Sequence, residues 1–223
     1  VDTPANLAGA PVGTLNRASQ ISATGALSVA QVALINVSTT DITPGYALTD
    51  SLATLTTGAN AAIVAAAGNL IVNNAGITVE NALSVEALSN TGTTSYVLAD
   101  TLTNLLAASS QVTSSATAVS ETVNAALTRA QINNLVDKFG TAKLVDADLR
   151  VADSFANLLQ LSAGSVAETT TGITITAGVG TVADAVALRT LTGAKMPTTF
   201  TVADSAANLS TGLATASTLT LLD

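Results

Sequence analysis

One hexapeptide recurs along the chain at a nearly fixed interval, and that interval limits the fold more than any other feature. Asp2-Thr-Pro-Ala-Asn-Leu7, Asp50-Ser-Leu-Ala-Thr-Leu55, Asp100-Thr-Leu-Thr-Asn-Leu105, Asp153-Ser-Phe-Ala-Asn-Leu158 and Asp204-Ser-Ala-Ala-Asn-Leu209 share one pattern. It reads Asp, Ser or Thr, any residue, Ala or Thr, usually Asn, then Leu. The leading aspartates lie 48, 50, 53 and 51 residues apart. Periods of this length belong to units that cannot bury an apolar face alone and must stack on their own copies. The expectation is one solenoid domain over residues 1–223, five copies of a double repeat of about 50 residues with the first and last incomplete.

The residues before each Asp alternate large apolar with small or polar side chains: Tyr46-Ala-Leu-Thr, Tyr96-Val-Leu-Ala, Leu149-Arg-Val-Ala and Phe200-Thr-Val-Ala. Period two is the mark of a strand with one buried face. After the Asp, Leu102/Leu105/Leu106 and Phe155/Leu158/Leu159 fall at helical spacing. Asp2, Asp50, Asp100, Asp153 and Asp204 are therefore expected to be helix N-caps, their carboxylates accepting from orphan amides of the first turn. Pro4 suits that first turn, where an amide hydrogen is dispensable. Gly58, Gly164 and Gly212 are expected to end helices. The core is expected to be a column of Leu7, Leu55, Leu105, Leu158 and Leu209 facing Tyr46, Tyr96 and Phe200. Asn6, Asn104, Asn157 and Asn208 fall in register and could form an amide ladder between coils.

Further strand-like runs lie midway: Leu70-Ile-Val72, Ala116 to Ser120, Ile173 to Thr176, Thr218 to Leu222, and a weaker one near Ile21. Helical segments follow most of them, at Ala26–Gln31, Ala82–Ala87, Ala126–Gln131 and Val182–Ala187. The period thus halves into coils of about 25 residues, roughly nine in all. Strand–helix–strand connections make the sheet parallel. The predicted fold class is α/β, with helices mainly on one face because crossovers are right-handed. The Asp-led helices are expected to be better formed than the intermediate ones. Both ends lack a polar capping repeat, which leads to the expectation of a longer parent chain or end-to-end stacking of copies.

Composition removes several chemistries. With no Cys and no His there is no thiolate nucleophile, no imidazole base and no usual zinc ligand set. A net charge of −8 with seven Lys plus Arg leaves no basic stripe for nucleic acid. Ser51 to Val79 carries no charge, yet Gly58, Asn60, Gly68, Asn69, Asn73 and Asn74 interrupt it, so no membrane span is expected. Asp146 and Asp148 could meet a cation but lack the glycine and further oxygens of a calcium loop. Asn36-Val-Ser38 and Asn208-Leu-Ser210 match the glycosylation triplet. Thr174/Thr176, Thr199/Thr201 and Thr218/Thr220 give three Thr-x-Thr strands, read as β-propensity on an exposed face.

The strand followed by Asp-Ser/Thr-x-Ala-Asn-Leu, clearest in Phe200-Thr-Val-Ala-Asp-Ser-Ala-Ala-Asn-Leu209, resembles repeats of very large bacterial secreted and cell-surface proteins. Such repeats often stand beside haemolysin-type calcium-binding repeats, whose glycine-rich nonapeptide this chain lacks. The resemblance implies an extracellular, adhesin-like or surface-layer role. The functional expectation is a non-enzymatic structural protein with no cofactor, associating head to tail with its own copies. The alternative is a module that binds surface glycans or proteins through its exposed sheet face.

Overall fold

The computed structural model describes residues 1–123, 125–144, 149–169, 172–197 and 199–214. Among these it holds six strands: β1 Ala47–Asp50, β2 Asn69–Val72, β3 Thr94–Asp100, β4 Ala116–Glu121, β5 Val151–Ser154 and β6 Ile173–Ala177. They form one sheet ordered β1-β2-β3-β4 and a second made of β5 and β6. The pairs β1–β2, β2–β3 and β5–β6 are parallel, with Leu48 opposite Leu70, Ile71 opposite Ser95 and Val151 opposite Ile173. Residues group into two compact units, Val1–Asp100 with Ala107–Val119 and Thr101–Leu106 with Ser120–Asp223, where the sequence reading has a single domain.

The chain is thus mixed α/β with parallel sheets. Among the described residues six strands stand where the sequence predicts about nine over the whole chain, and several turns of chain pair through single bridges instead. Asp2 with Ala23, Ile21 with Ile42, Leu27 with Leu48 and Ile77 with Leu98 are such bridges in the first unit. Leu127 with Val151 and Gly180 with Val202 are their counterparts in the second. All six are parallel, so the register of the repeat continues where the ladder is too short to count as a strand. The strand expected over Leu149–Ala152 begins two residues later, and Phe200–Ala203 contributes one bridge at Val202. Thr218–Leu222, with Asp146 and Asp148, lies outside the described residues.

Pairing lines the apolar residues of successive turns into a file. Leu27, Leu48 and Leu70 are fully buried, as are Leu98 and Val151 in their own ladders. Burying a leucine side chain is worth about 1.5–3 kcal/mol, so these files supply much of the driving force. Their opposite face, with Thr49, Val97 and Ala152, is half-buried. Helical side chains close the core from the other leg: Val32 and Ile35, Val85, Ile132 and Leu135, and Leu188. The tyrosines add a polar tie, since Tyr46 Oη donates to the Ile63 carbonyl at 2.7 Å and thereby fastens strand to helix within one turn.

The helices reverse one expectation. Four of those led by Asp are short, at Pro4–Gly9, Leu52–Leu55, Leu102–Ala107 and Phe155–Leu158, while the fifth, Ala206–Ala214, has nine residues. The intermediate ones are longer, at Val29–Ile35, Val79–Glu86, Arg129–Phe139 and Val182–Thr192. Reciprocal capping boxes account for three of the long ones, pairing Ser28 with Gln31, Thr128 with Gln131 and Thr181 with Asp184. Hydroxyls that follow Leu52–Leu55 cut it off, and new caps divide other turns. Thr56 and Thr57 bond back to the Leu52 and Ala53 carbonyls at 2.8 and 2.6 Å, while Ser109 and Ser162 begin new helices. The turns led by Asp2, Asp100 and Asp153 therefore carry two short helices where one was expected, and that led by Asp50 carries two with a 3₁₀ turn between them. The intermediate segments begin later than expected at Ala26 and Ala126, because Leu27 and Leu127 belong to the bridges and Ser28 and Thr128 are the caps. Gly58 and Gly164 do not end helices: Gly58 opens a short 3₁₀ turn and Gly164 sits inside Ala163–Glu168. Gly212 lies within Ala206–Ala214.

Candidate functional site

Asp50 and Asp100 end β1 and β3, Asp153 is next to last in β5, Asp2 and Asp204 lie at or just after single bridges, and each is followed by a helix. The expectation that they cap that helix is corrected. The cap is the next residue: Thr3, Ser51 and Ser154 accept the amides of Asn6, Thr54 and Asn157. Thr101 and Ser205 do the same for Asn104 and Asn208. The reason is geometric. An N-cap hydroxyl reaches the amide three residues on, and a side chain one residue earlier, still in the extended strand, lies a step too far back.

The carboxylate does something else with each of its oxygens. Oδ1 accepts the amide of the capping residue, from Thr3 to Asp2, Ser51 to Asp50, Ser154 to Asp153 and Ser205 to Asp204, all at 2.7–2.8 Å. The side-chain amides of Asn6, Asn157 and Asn208 add to the same oxygen at 2.7–2.8 Å. These three asparagines therefore tie the motif to its own aspartate, four residues back, and do not form a ladder between turns. Thr54 stands in their place beside Asp50 and pairs with Ser51 instead.

Oδ2 faces the previous turn of chain. Asp50 accepts the Val29 amide at 3.1 Å, Asp100 that of Val79 at 2.9 Å, Asp153 that of Arg129 at 2.9 Å and Asp204 that of Val182 at 3.0 Å. These bonds cross 21, 21, 24 and 22 residues of sequence. All four donors are the first residue of a long intermediate helix. That amide is one of the orphans of a helix start and is not the one its own Ser or Thr cap satisfies. A negative charge there also meets the positive end of the helix dipole. Each of these four aspartates thus caps the helix one turn behind it.

In one intermediate turn the same position is filled by an asparagine. Asn74 Oδ1 accepts the Leu52 amide at 2.7 Å, across 22 residues. Opposite Pro4, which has no amide hydrogen, stands Gly25, whose absent Cβ would lie 3.9 Å from the proline ring. Gly178 stands opposite Phe155 in the same manner. An acceptor thus meets the first-turn amide of Leu52 and is dispensed with at Pro4, while at Phe155 the opposite residue is a glycine with no side-chain acceptor. The sequence reading missed this file. The signals that could have found it are Ser28-x-x-Gln31, Thr128-x-x-Gln131 and Thr181-x-x-Asp184, which put helix starts about one turn of chain before the aspartates.

The core residues divide. Leu7, Leu55, Leu105, Leu158, Tyr46 and Tyr96 are buried as expected. Leu209 and Phe200 are only half-buried, on the last described turn, with the Phe200 ring edge-on to Phe155 at 5.8 Å. Thr174, Thr176, Thr199 and Thr201 are exposed. Asn208 of one glycosylation triplet uses its amide on Asp204. An open groove of about 370 Å³ is lined by Leu106, Asn134, Asp137 and Lys138, and the lysine ammonium is committed to the Leu106 carbonyl at 2.8 Å. Among the described residues no group of three His, Cys, Asp or Glu could hold a metal ion, and no helix is long and apolar enough to cross a membrane.

Hydrogen bonding sets the electrostatics. Asp2 is held below the usual carboxylate range by the Asn6 side chain and the Thr3 amide. Asp204 is lowered by Asn208, then by the Ser205 and Val182 amides. Burial works to raise Asp153, and the bonds from Asn157, Arg129 and Ser154 outweigh it, so its carboxyl is also depressed. A depressed folded value means stability that is fully present above the unfolded value and is lost as pH falls through the folded one. Asp153→Asn is expected to cost about 0.5–1.5 kcal/mol at neutral pH, because an amide NH₂ must then face one of the N–H donors, which solvent can partly satisfy. It should also flatten the decline of melting temperature below about pH 4, where ordinary aspartates titrate. An unchanged acid limb in the variant, followed by circular dichroism, would remove the carboxylate from this role.

Fold and site together define an α/β protein built from a repeat, with a recurring acid group that joins every second turn of chain to the one before. No family model, curated protein or solved structure matches the chain.

Proposed function

We propose that this chain is a structural part of an exported bacterial protein. It is a solenoid of about nine strand–helix coils with helices mainly on one face, and it associates end to end with copies of itself in a surface layer, adhesin stalk or filament. The observation that carries this reading is the file of carboxylates. Asp50, Asp100, Asp153 and Asp204 each accept the first helical amide one turn earlier, at 2.9–3.1 Å. A polar device repeated at every second turn serves the stacking of turns; it does not gather groups around a reacting atom. Its mechanism is mechanical: backbone pairing along the stack resists extension, and the carboxylate–amide bonds fix which turn sits on which. Because each turn offers its neighbour the same register, it can offer that register to a turn of another copy.

Electron microscopy and fibre diffraction of the purified chain test this over a range of concentrations. Filaments with an axial spacing of about 4.8 Å are expected. Compact particles at every concentration would overturn the assembly, and the absence of that spacing from filaments that do form would overturn the stacked-coil reading.

A further inference from the structure

Glu86 closes the helix Val79–Glu86 and is half-buried in the first unit. Its Oε1 accepts from Thr94 Oγ1 at 2.9 Å and Tyr96 Oη at 2.8 Å, both on β3. Its Oε2 accepts from Gln111 Nε2 at 2.9 Å, and Ser115, also on the helix Ser110–Ser115, is a further partner. Tyr96 Oη lies 3.2 Å from the Val112 carbonyl of that same helix, and Thr94 Oγ1 lies 3.2 Å from Ser115 Oγ. One carboxylate thus joins two successive helical legs and the strand between them. Every partner is a neutral donor.

The other charged side chains of the surrounding elements are Glu80 on the same helix and Asp100 at the end of β3. Tyr96 is the further titratable group, and the helices Leu52–Leu55 and Ser110–Ser115 carry none. Nothing among them offers a cation to replace the carboxylate's bonds once it takes a proton.

We propose that Glu86 is an acid-released latch between the helices Val79–Glu86 and Ser110–Ser115. As a carboxylate it satisfies the donors of Thr94, Tyr96, Gln111 and Ser115 together. As a carboxylic acid it brings a donor of its own into a pocket of donors and loses acceptor capacity, so the Gln111 and Ser115 side lets go first. Tyr96 keeps the Val112 carbonyl within reach, which leaves the strand in place while the helical join loosens. Burial acts to raise the Glu86 carboxyl, but the bonds from Ser115, Tyr96, Thr94 and Gln111 outweigh it and hold the group below the usual glutamate range. The latch is therefore shut at neutral pH and opens only in acid. Tyr96 is pushed well above the ordinary phenol range by burial and by Glu86, so it remains protonated throughout.

Two tyrosines occur in the chain, so Tyr46→Phe leaves Tyr96 as the sole reporter. In that background Tyr96 emission is expected to titrate in acid before far-ultraviolet circular dichroism is lost, and to stay flat over the same range in the added variant Glu86→Gln. Amide exchange in the otherwise unaltered chain, corrected for its intrinsic pH dependence, should be several-fold faster across Ser110–Ser115 in acid, and equally fast at both pH values in Glu86→Gln. Emission that changes only together with the loss of circular dichroism, or exchange in that helix that ignores Glu86→Gln, would overturn the latch.

Discussion

Leu158→Ala is expected to lower the unfolding free energy of its unit by about 2–5 kcal/mol, the range for removing a fully buried leucine from a packed core. Leu158 is inaccessible to solvent, on a helix of only four residues that packs against β5 and β6. So short a helix has almost no stability of its own, and packing of its one inward face must hold it. The expected fall in melting temperature is at least about 4–8 °C, since the unit is larger than the domains of 60–100 residues for which roughly 4–8 °C per kcal/mol holds and smaller than those of 150–250 for which roughly 2–4 °C does. Leu105→Ala should behave alike, since Leu105 is equally buried. Leu83→Ala is the control: it removes the same atoms from a side chain that is 51% exposed and should stay within about 0.5 kcal/mol of the parent. Equal melting of Leu158→Ala and Leu83→Ala would show that the repeated leucine is not the anchor of its turn.

What could be read from the sequence was whatever depends on local periodicity. The alternation around Leu48 and Leu98 placed β1 and β3, and the recurring Leu55, Leu105 and Leu158 marked buried positions, because apolar periodicity is imposed directly by burial. The role of the aspartates was not legible in the same way. The motif itself looks like a cap, and only the cross-turn register shows that Ser51 or Ser154 takes that part while Asp50 and Asp153 reach back to Val29 and Arg129. Hydrogen bonds across 21 to 24 residues leave no trace in a local window. The relative strength of the helices was misjudged for a related reason. Conspicuous repetition of Asp-Ser-x-x-Asn-Leu draws attention to helices that Thr56 and Thr57 promptly end, whereas the capping boxes at Ser28 and Thr128 are quieter in sequence and stronger in effect.

Glycine supplies the other large expected effect. At one corner of the first unit the backbones of successive turns touch: Gly68 donates its amide to the Tyr46 carbonyl at 2.9 Å, and a Cβ built on it would lie 2.6 Å from the Gly45 carbonyl oxygen. Gly92 repeats the arrangement one turn on, where a Cβ would collide with the Gly68 carbonyl oxygen. The nearest obstacle in both cases is main chain, which cannot swing aside as a side-chain end can; at Gly92 the Asn69 side chain crowds the position as well. The surrounding bonds tighten the constraint, since the Thr91 amide and Asn90 Nδ2 reach the Ala67 and Gly68 carbonyls at 3.0 and 3.1 Å. Gly92→Ala must therefore push two turns apart or break those bonds, and a cost of about 1–3 kcal/mol is expected, as for overpacking elsewhere. Joined with Gly68→Ala the damage should exceed the sum of the two, because both act on the same corner through shared partners. Gly58→Ala measures the plain effect of adding a methyl group, as nothing lies within 4 Å of that position. Chemical denaturation of the four variants decides the matter: if Gly92→Ala and Gly58→Ala are equally stable, the turns do not meet backbone to backbone at this corner.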